Sequence, residues 1–162
     1  MKTLNQAVKE YNRQLQQGDI QTAYKGILDF IGKMRAHFIK KNELYDVGSI
    51  YQGYMDMTYF SFVSEPLKKK RLKIAIVYLH EKGAFEVWLS ARNRDLAKQY
   101  KAVFDSMILE QSAFFHDEDN LDAIIECTLT ATPNFDHQDL LIGIIERGVE
   151  RFVTSIDGQL CA

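Results

Sequence analysis

The chain has 162 residues, enough for one domain that removes roughly two-thirds of its unfolded surface from water. Hydrophobic residues make up 46% and charged residues 26% of the sequence, a balance that excludes a chain disordered throughout its length. The formal net charge is only −2, but the charges are distributed unevenly along the chain.

Residues 1–101 contain 18 of the 20 Lys and Arg and 10 of the 22 Asp and Glu, whereas residues 102–162 contain the other 2 and 12. These two parts are electrostatically complementary, which favours their packing against each other or head-to-tail association of two chains. Because the length suits one domain, we expect the first arrangement, a single domain over residues 1–162.

The sequence has neither the apolar segment of a signal peptide nor the run of about 18 apolar residues that a membrane-spanning helix needs. We therefore expect a cytoplasmic protein that does not enter a membrane. Cys127 and Cys161 form no CxxC pair and have no Cys–His spacing suited to zinc, so we expect a buried thiol and a tail thiol.

Two helices are predicted at the start of the chain. Thr3 and Gln6 can form a capping box, and apolar residues then recur at helical spacing as far as Gly18. A second helix begins at Asp19 and ends near Asn42. Its apolar stripe consists of Ile20, Tyr24, Ile27, Ile31, Met34 and Phe38.

Three strands are predicted in the middle of the chain. YMDMTYFSFV (54–63) and RLKIAIVYLH (71–80) are rich in aromatic and β-branched residues and are separated by the turn SEPLKKK. Glu81, Lys82 and Gly83 form a three-residue connection to AFEVWLSA (84–91), which is the returning strand of a hairpin.

The last part of the chain is predicted to contain two helices and a strand. Asn93 is a suitable N-cap for one helix, AIIECTLTA (123–131) is a fourth strand, and Asp136 starts the final helix after Pro133. The order ααβββαβα indicates an α+β fold, with one antiparallel sheet of about four strands covered by helices.

The hairpin connection determines which side chains share a face of the sheet. A three-residue loop places Ala75, Val77 and Leu79 with Phe85, Val87 and Leu89 on the face that meets the helices. The opposite face then carries Tyr78, His80, Glu86 and Trp88. Such a mixture of aromatic and polar groups is typical of ligand pockets and interfaces. The alternative interpretation is that Trp88 only covers the sheet beneath a loop or another helix.

Arg92 and Arg94 lie at the predicted start of a helix, where backbone N–H groups and the helix dipole already favour an anion. Cations are unfavourable there unless a negative group compensates them. This placement predicts either a small anionic ligand beside Trp88 or a structural ion pair of an arginine with Asp95 or Glu86.

An enzyme is the alternative interpretation. Its acid–base groups would be Glu86 and His80 near Tyr78, or Asp56 from the preceding strand, with Arg92 holding an anionic substrate. The sequence has no nucleophile motif, phosphate loop or dinucleotide-binding fingerprint, so we expect no cofactor.

Two charged runs are interpreted as solvated loops. LKKKRLK (67–73) is too narrow a basic region to predict nucleic-acid binding. HDEDNLD (116–122) offers Asp117, Asp119 and Asp122 as oxygen ligands but lacks the Gly and distant Glu of a calcium-binding loop, so we expect no metal site.

YQGYMDMTYFSF (51–62) and FEVWLSARNR (85–94) resemble a family of small bacterial proteins known only as a domain of unknown function. The resemblance covers roughly residues 45–101 and implies no activity, substrate or cofactor. It marks this part of the chain as the distinctive one.

Together these patterns predict a binding or interaction module. Its site would combine the sheet face of Tyr78, Glu86 and Trp88 with the corner formed by Arg92 and Arg94. The expected occupant is a small anionic ligand or a partner chain, including a second copy in a homodimer.

Overall fold

The structure, a computed structural model, describes residues 1–161 and contains five helices and six strands within them. In chain order they are α1 (Leu4–Gln17), α2 (Asp19–Lys41), β1 (Asp46–Val47), β2 (Met57–Val63), α3 (Glu65–Lys69), β3 (Leu72–Leu79), β4 (Ala84–Ala91), α4 (Arg94–Glu110), β5 (Phe114–Phe115), β6 (Ile125–Thr130) and α5 (Gln138–Leu160). The fold is α+β, as the sequence predicts.

The strands form one antiparallel sheet in the order β1-β2-β3-β4-β6-β5. About four strands were expected. The two additional strands, β1 and β5, have two residues each, which is too short to give a periodic signal in the sequence.

Local sequence signals set the helix ends. Thr3 and Gln6 form the expected capping box, and Gly18 separates α1 from α2 in a left-handed conformation (φ 85°) that glycine adopts without steric cost. Asn93 caps α4 as predicted, since its side chain accepts a hydrogen bond of 2.9 Å from the backbone N–H of Leu96.

The register of the β3–β4 hairpin differs from the prediction by one residue. Leu79 pairs with Ala84, so four residues, His80 to Gly83, connect the strands. Tyr78 therefore pairs with Phe85 on the helix-covered face, and the predicted face for Tyr78 is wrong. A shift of one residue exchanges the faces of a whole strand, and β3 is apolar on both faces, so its sequence could not indicate the register.

The prediction for β4 is confirmed. Phe85, Val87 and Leu89 belong to the main core, together with the buried apolar residues of α2, α4 and α5. Trp88 belongs to a separate small cluster on the opposite face, together with Ala75, Val77 and Ala123. We call this second face the open face; it comprises Met57, Tyr59, Ala75, Val77, Leu79, Glu86 and Trp88.

Ion pairs join the basic first part of the chain to the acidic last part. Glu146 of α5 contacts both His37 and Lys41 of α2, and Lys33 lies 3.2 Å from Asp139. Lys101 lies 3.3 Å from Glu118. None of the helices within residues 1–161 has the length and apolar character needed to cross a membrane.

Candidate functional site

Trp88 lies at the centre of the open face, between two clefts. Its side chain is buried, and its Nε1 donates a hydrogen bond of 3.0 Å to Oε1 of Glu86. Its neighbour across the hairpin is Ala75, whose small side chain leaves space above the sheet. We call the cleft next to Arg92 the basic cleft and the one next to Glu86 the acidic cleft.

The basic cleft has a volume of about 250 Å³, with an apolar floor and a charged rim. Side chains of the sheet form the floor, namely Met57, Tyr59, Ala75 and Trp88. The charged lining residues are Lys73, Arg92, Arg94 and Asp122. Arg92 directly follows β4 and Arg94 is the first residue of α4, so the strand end and the helix start present the two arginines together.

Positive charge exceeds negative charge in the basic cleft. The Nη2 atom of Arg94 lies 3.9 Å from Oδ1 of Asp122, and both side chains are more than half exposed, so this pair is weak. Lys73 and Arg92 form no ion pair within 4.0 Å inside residues 1–161. The predicted partners Asp95 and Glu86 do not pair with either arginine in this part of the chain. The structure thus leaves two cations of the cleft uncompensated.

The acidic cleft, about 220 Å³, contains two buried carboxylates, those of Glu86 (3% exposed) and Glu126 (0% exposed). Glu86 is already fully engaged, because Oε1 accepts from Trp88 and Oε2 accepts from Lys82 Nζ at 2.8 Å. The same Lys82 Nζ lies 5.7 Å from the ring centroid of Phe115, within cation–π range. Glu86 therefore orients Trp88 from one side and does not reach into the basic cleft.

Glu126, which was not among the residues predicted for the site, holds the connection between β5 and β6 against the sheet. Its carboxylate accepts hydrogen bonds from His116 Nδ1 (3.1 Å), the Asp117 backbone N–H (3.3 Å) and Asn120 Nδ2 (3.0 Å). Burial raises the pKa of Glu126 above its usual value, because the loss of water outweighs His116 and the hydrogen bonds. This connection also supplies Leu121 and Asp122 to the basic cleft.

A signal for Glu126 exists in the sequence. In IIECTLT a lone carboxylate follows two apolar residues, and strand alternation places it on the face opposite Ile125 and Cys127. The sequence does not indicate its partners His116 and Asn120, because the turn that brings them back to the sheet has no periodic pattern of apolar residues.

The predicted acid–base groups are divided between the two sides of the sheet. His80 Nε2 lies 2.8 Å from Thr58 Oγ1, and the ring stacks on Tyr24 of α2, so its contacts are on the helix side. Burial lowers the pKa of His80, although nearby Asp56 opposes this effect. Asp56 lines the acidic cleft with Glu86. Glu86 and His80 therefore do not face a common substrate position.

Tyr78, predicted to share the face of Trp88, lies in the main core instead. Its ring is 4.9 Å from that of Phe85 and 5.8 Å from that of Phe135, and burial raises the pKa of its hydroxyl. Tyr78 therefore packs on the helix-covered face of the sheet and lines neither cleft.

The acidic segment HDEDNLD (116–122), between β5 and β6, does not assemble a metal site in the described chain. Asp117 Oδ1 accepts a hydrogen bond of 3.0 Å from the Asp119 backbone N–H, which is the arrangement of a turn. Within residues 1–161 no three His, Cys, Asp or Glu side chains are placed to hold a metal ion together.

The profile of a family described as a domain of unknown function, DUF7000, matches residues 4–160. The chain belongs to this family. The resemblance inferred for residues 45–101 is thus confirmed, and it extends over both clefts and all five helices. Comparisons with curated proteins and with solved structures give no match. The clefts themselves therefore carry the functional argument.

Proposed function

We propose that the protein binds a small anionic ligand with a flat apolar body in the basic cleft. The observation that carries this proposal is the combination of an apolar floor with uncompensated Lys73 and Arg92 at its rim. A ring placed on Trp88 and Tyr59 would gain apolar and stacking contacts. A carboxylate or phosphate at the rim would accept charge-assisted hydrogen bonds from the guanidinium of Arg92.

The electrostatics of the cleft support an anion over a neutral ligand. Within residues 1–161 neither Arg92 nor Lys73 has a carboxylate partner to release before a ligand enters, and the pair of Arg94 with Asp122 is weak and exposed. The positive end of the α4 dipole, which begins at Arg94, adds to this preference. The volume of about 250 Å³ lies below the range of drug-sized pockets and suits a ligand of about one ring.

Matched ligands test this proposal. Benzoate and phenyl phosphate carry the two kinds of anion on one ring, and benzyl alcohol is a neutral analogue. Titration calorimetry should show saturable binding of at least one anion, at least tenfold tighter than benzyl alcohol and weakened by salt. Equal affinities for the anions and the alcohol, or the absence of binding by all three, would refute an anion site.

A second copy of the chain is the other candidate occupant of the open face. The ring of Tyr51 contacts that of Tyr59 in a tilted arrangement, with centroids 5.0 Å apart, and Tyr51 remains 43% exposed. Tyr54 and Met55, which also lie between β1 and β2, are exposed as well. Aromatic and Met side chains are enriched in protein interfaces. Sedimentation equilibrium tests this alternative. A dimer disrupted by Tyr51→Ser would favour it, and a monomer at high concentration would exclude it.

Catalysis has less support from the geometry. An enzyme acting on an anionic metabolite would need an acid–base group beside Arg92, but Glu86 is engaged by Trp88 and Lys82, and His80 contacts Thr58 on the helix side. We therefore prefer binding over catalysis as the function of the basic cleft.

A further inference from the structure

A larger cleft, about 650 Å³, lies between α5 and the end of the sheet that β5 and β6 form. We call it the α5 groove. Phe114, Cys127 and Phe152 form its floor, and Arg147, Glu150 and Arg151 lie along α5 at its side. Cys127 pairs with Val87 and lies on the helix-covered face of the sheet. The groove is therefore on the opposite side of the sheet from Trp88.

The positive charges of the α5 groove are unusual for their part of the chain. Residues 102–162 contain 12 acidic residues and only two basic ones, Arg147 and Arg151, and both line this groove. Neither arginine forms an ion pair within 4.0 Å inside residues 1–161, although Glu150 lines the same groove. The two cations are thus concentrated at one concave surface and are not used to neutralise neighbouring carboxylates.

Two glycines shape the surface on which these arginines lie. A Cβ at Gly143 would be 3.2 Å from Nη1 of Arg147, and a Cβ at Gly148 would be 3.9 Å from Nη2 of Arg151. Each guanidinium therefore lies back along α5, towards its N-terminus. Gly143 leaves room for the guanidinium of Arg147, whereas Gly148 is covered mainly by Leu129, whose Cδ2 would lie 2.7 Å from such a Cβ. Four residues separate the arginines, so their Cα atoms are roughly 6 Å apart along the helix axis and their side chains project from successive turns.

We propose that the α5 groove is a second ligand site, for a dianion whose charged groups are about one helical turn apart, such as a dicarboxylate or a bisphosphate. Each guanidinium would donate paired hydrogen bonds to one oxyanion group, as the planar fork of arginine favours. The chain between the anionic groups would lie on Phe114 and Phe152. This site is independent of the basic cleft and does not rest on the function proposed above.

Cys127 provides a reporter at the floor of the groove. Burial raises the pKa of its thiol, and nearby Arg151 counteracts part of this effect, so the sulfur is close enough to sense the arginine charge. With the exposed Cys161 replaced by Ser, alkylation monitors Cys127 alone. Iodoacetate and iodoacetamide differ in charge, so the ratio of their alkylation rates measures the local potential of the groove.

The experiment compares three proteins in the Cys161→Ser background: the parent, Arg147→Gln/Arg151→Gln, and the control Lys9→Gln/Lys40→Gln, which has the same net charge. The iodoacetate-to-iodoacetamide ratio should fall roughly fivefold in the arginine variant and stay unchanged in the control. Glutarate or 1,3-propanediol bisphosphate should protect Cys127 saturably in the parent, whereas butyrate, a monoanion, should not.

The two protecting probes separate a dicarboxylate from a phosphate ligand. Circular dichroism establishes that the variants are folded, and the single variants replace the double variant if it is not. An unchanged ratio in the arginine variant overturns the proposal. A ratio that falls without saturable protection by glutarate or 1,3-propanediol bisphosphate also overturns it, because it shows a positive surface without a dianion site.

Discussion

Trp88 Nε1 donates a hydrogen bond of 3.0 Å to Glu86 Oε1, between two buried side chains two residues apart on the open face of β4. The second carboxylate oxygen of Glu86 accepts from Lys82, so the acid is held from both sides. The indole that forms the floor of the basic cleft is therefore oriented before any ligand arrives.

Glu86→Ala should destabilise the protein, because it leaves the buried N–H of Trp88 without an acceptor. The expected loss is about 1–3 kcal/mol in the free energy of unfolding. Glu86→Gln should cost less, since its amide oxygen can still accept from Trp88. Urea denaturation measures both values, and a Glu86→Ala protein as stable as the parent would show that this bond does not hold the indole.

Val87→Ala tests the assignment of the two faces of β4. Val87 is buried in the main core, so the substitution should lower the free energy of unfolding by about 1–3 kcal/mol through lost burial and a small cavity. Val103→Ala is the matched control, because Val103 is 39% exposed on α4. Similar denaturation midpoints for the two variants would contradict the burial of Val87.

Glu126 should make stability depend on pH in a defined direction. Its pKa in the folded protein is raised above the usual 4.5. The folded state therefore binds this proton more tightly than the unfolded state does. The resulting stabilisation is complete below about pH 4.5 and is lost as the pH rises through the raised value.

Glu126→Gln removes this titration while keeping the shape of the side chain. Relative to the parent, the variant should become progressively more stable as the pH increases above 4.5. Urea denaturation at a series of pH values measures the difference. A constant difference between the two proteins across this range would show that Glu126 does not titrate with a raised pKa.

The ion pairs between residues 1–101 and 102–162 predict that the two parts do not separate. Exposed pairs contribute about 0.2–1 kcal/mol each, so 1 M salt should lower stability only modestly. Limited proteolysis should not release two stable fragments near residue 101. Recovery of two folded fragments from a cut at that point would contradict a single domain.

Local signals in the sequence were sufficient for much of the fold. Thr3 and Asn93 cap helices through bonds to residues three positions away, and Trp88, Arg92 and Arg94 are close in sequence, so a strand leading into a helix brings them to one cleft. Each of these features lies within a short segment, so the spacing of residues along the sequence is enough to predict it.

Features that depend on pairing between distant segments could not be predicted in the same way. The face of Tyr78 depends on one residue in the hairpin loop, which Gly83 (φ 67°) did not determine. Glu126 receives its hydrogen bonds from a turn six to ten residues away. The α5 groove brings Arg151 of α5 close to Cys127 of β6. Nothing in the local sequence specifies these distances.

In the proposed function, an anion enters the cleft above Trp88. Trp88 is the only tryptophan in the chain, so its fluorescence during titration with benzoate and with phenyl phosphate tests this claim most directly. The parent should show a saturable change in emission. In Lys73→Gln/Arg92→Gln the apparent Kd should increase roughly tenfold or more, as expected for the loss of charge-assisted hydrogen bonds. The control Lys40→Gln should behave as the parent. A signal that saturates with neither anion, or an equal Kd in the parent and the Lys73→Gln/Arg92→Gln variant, would contradict an anion site at Trp88.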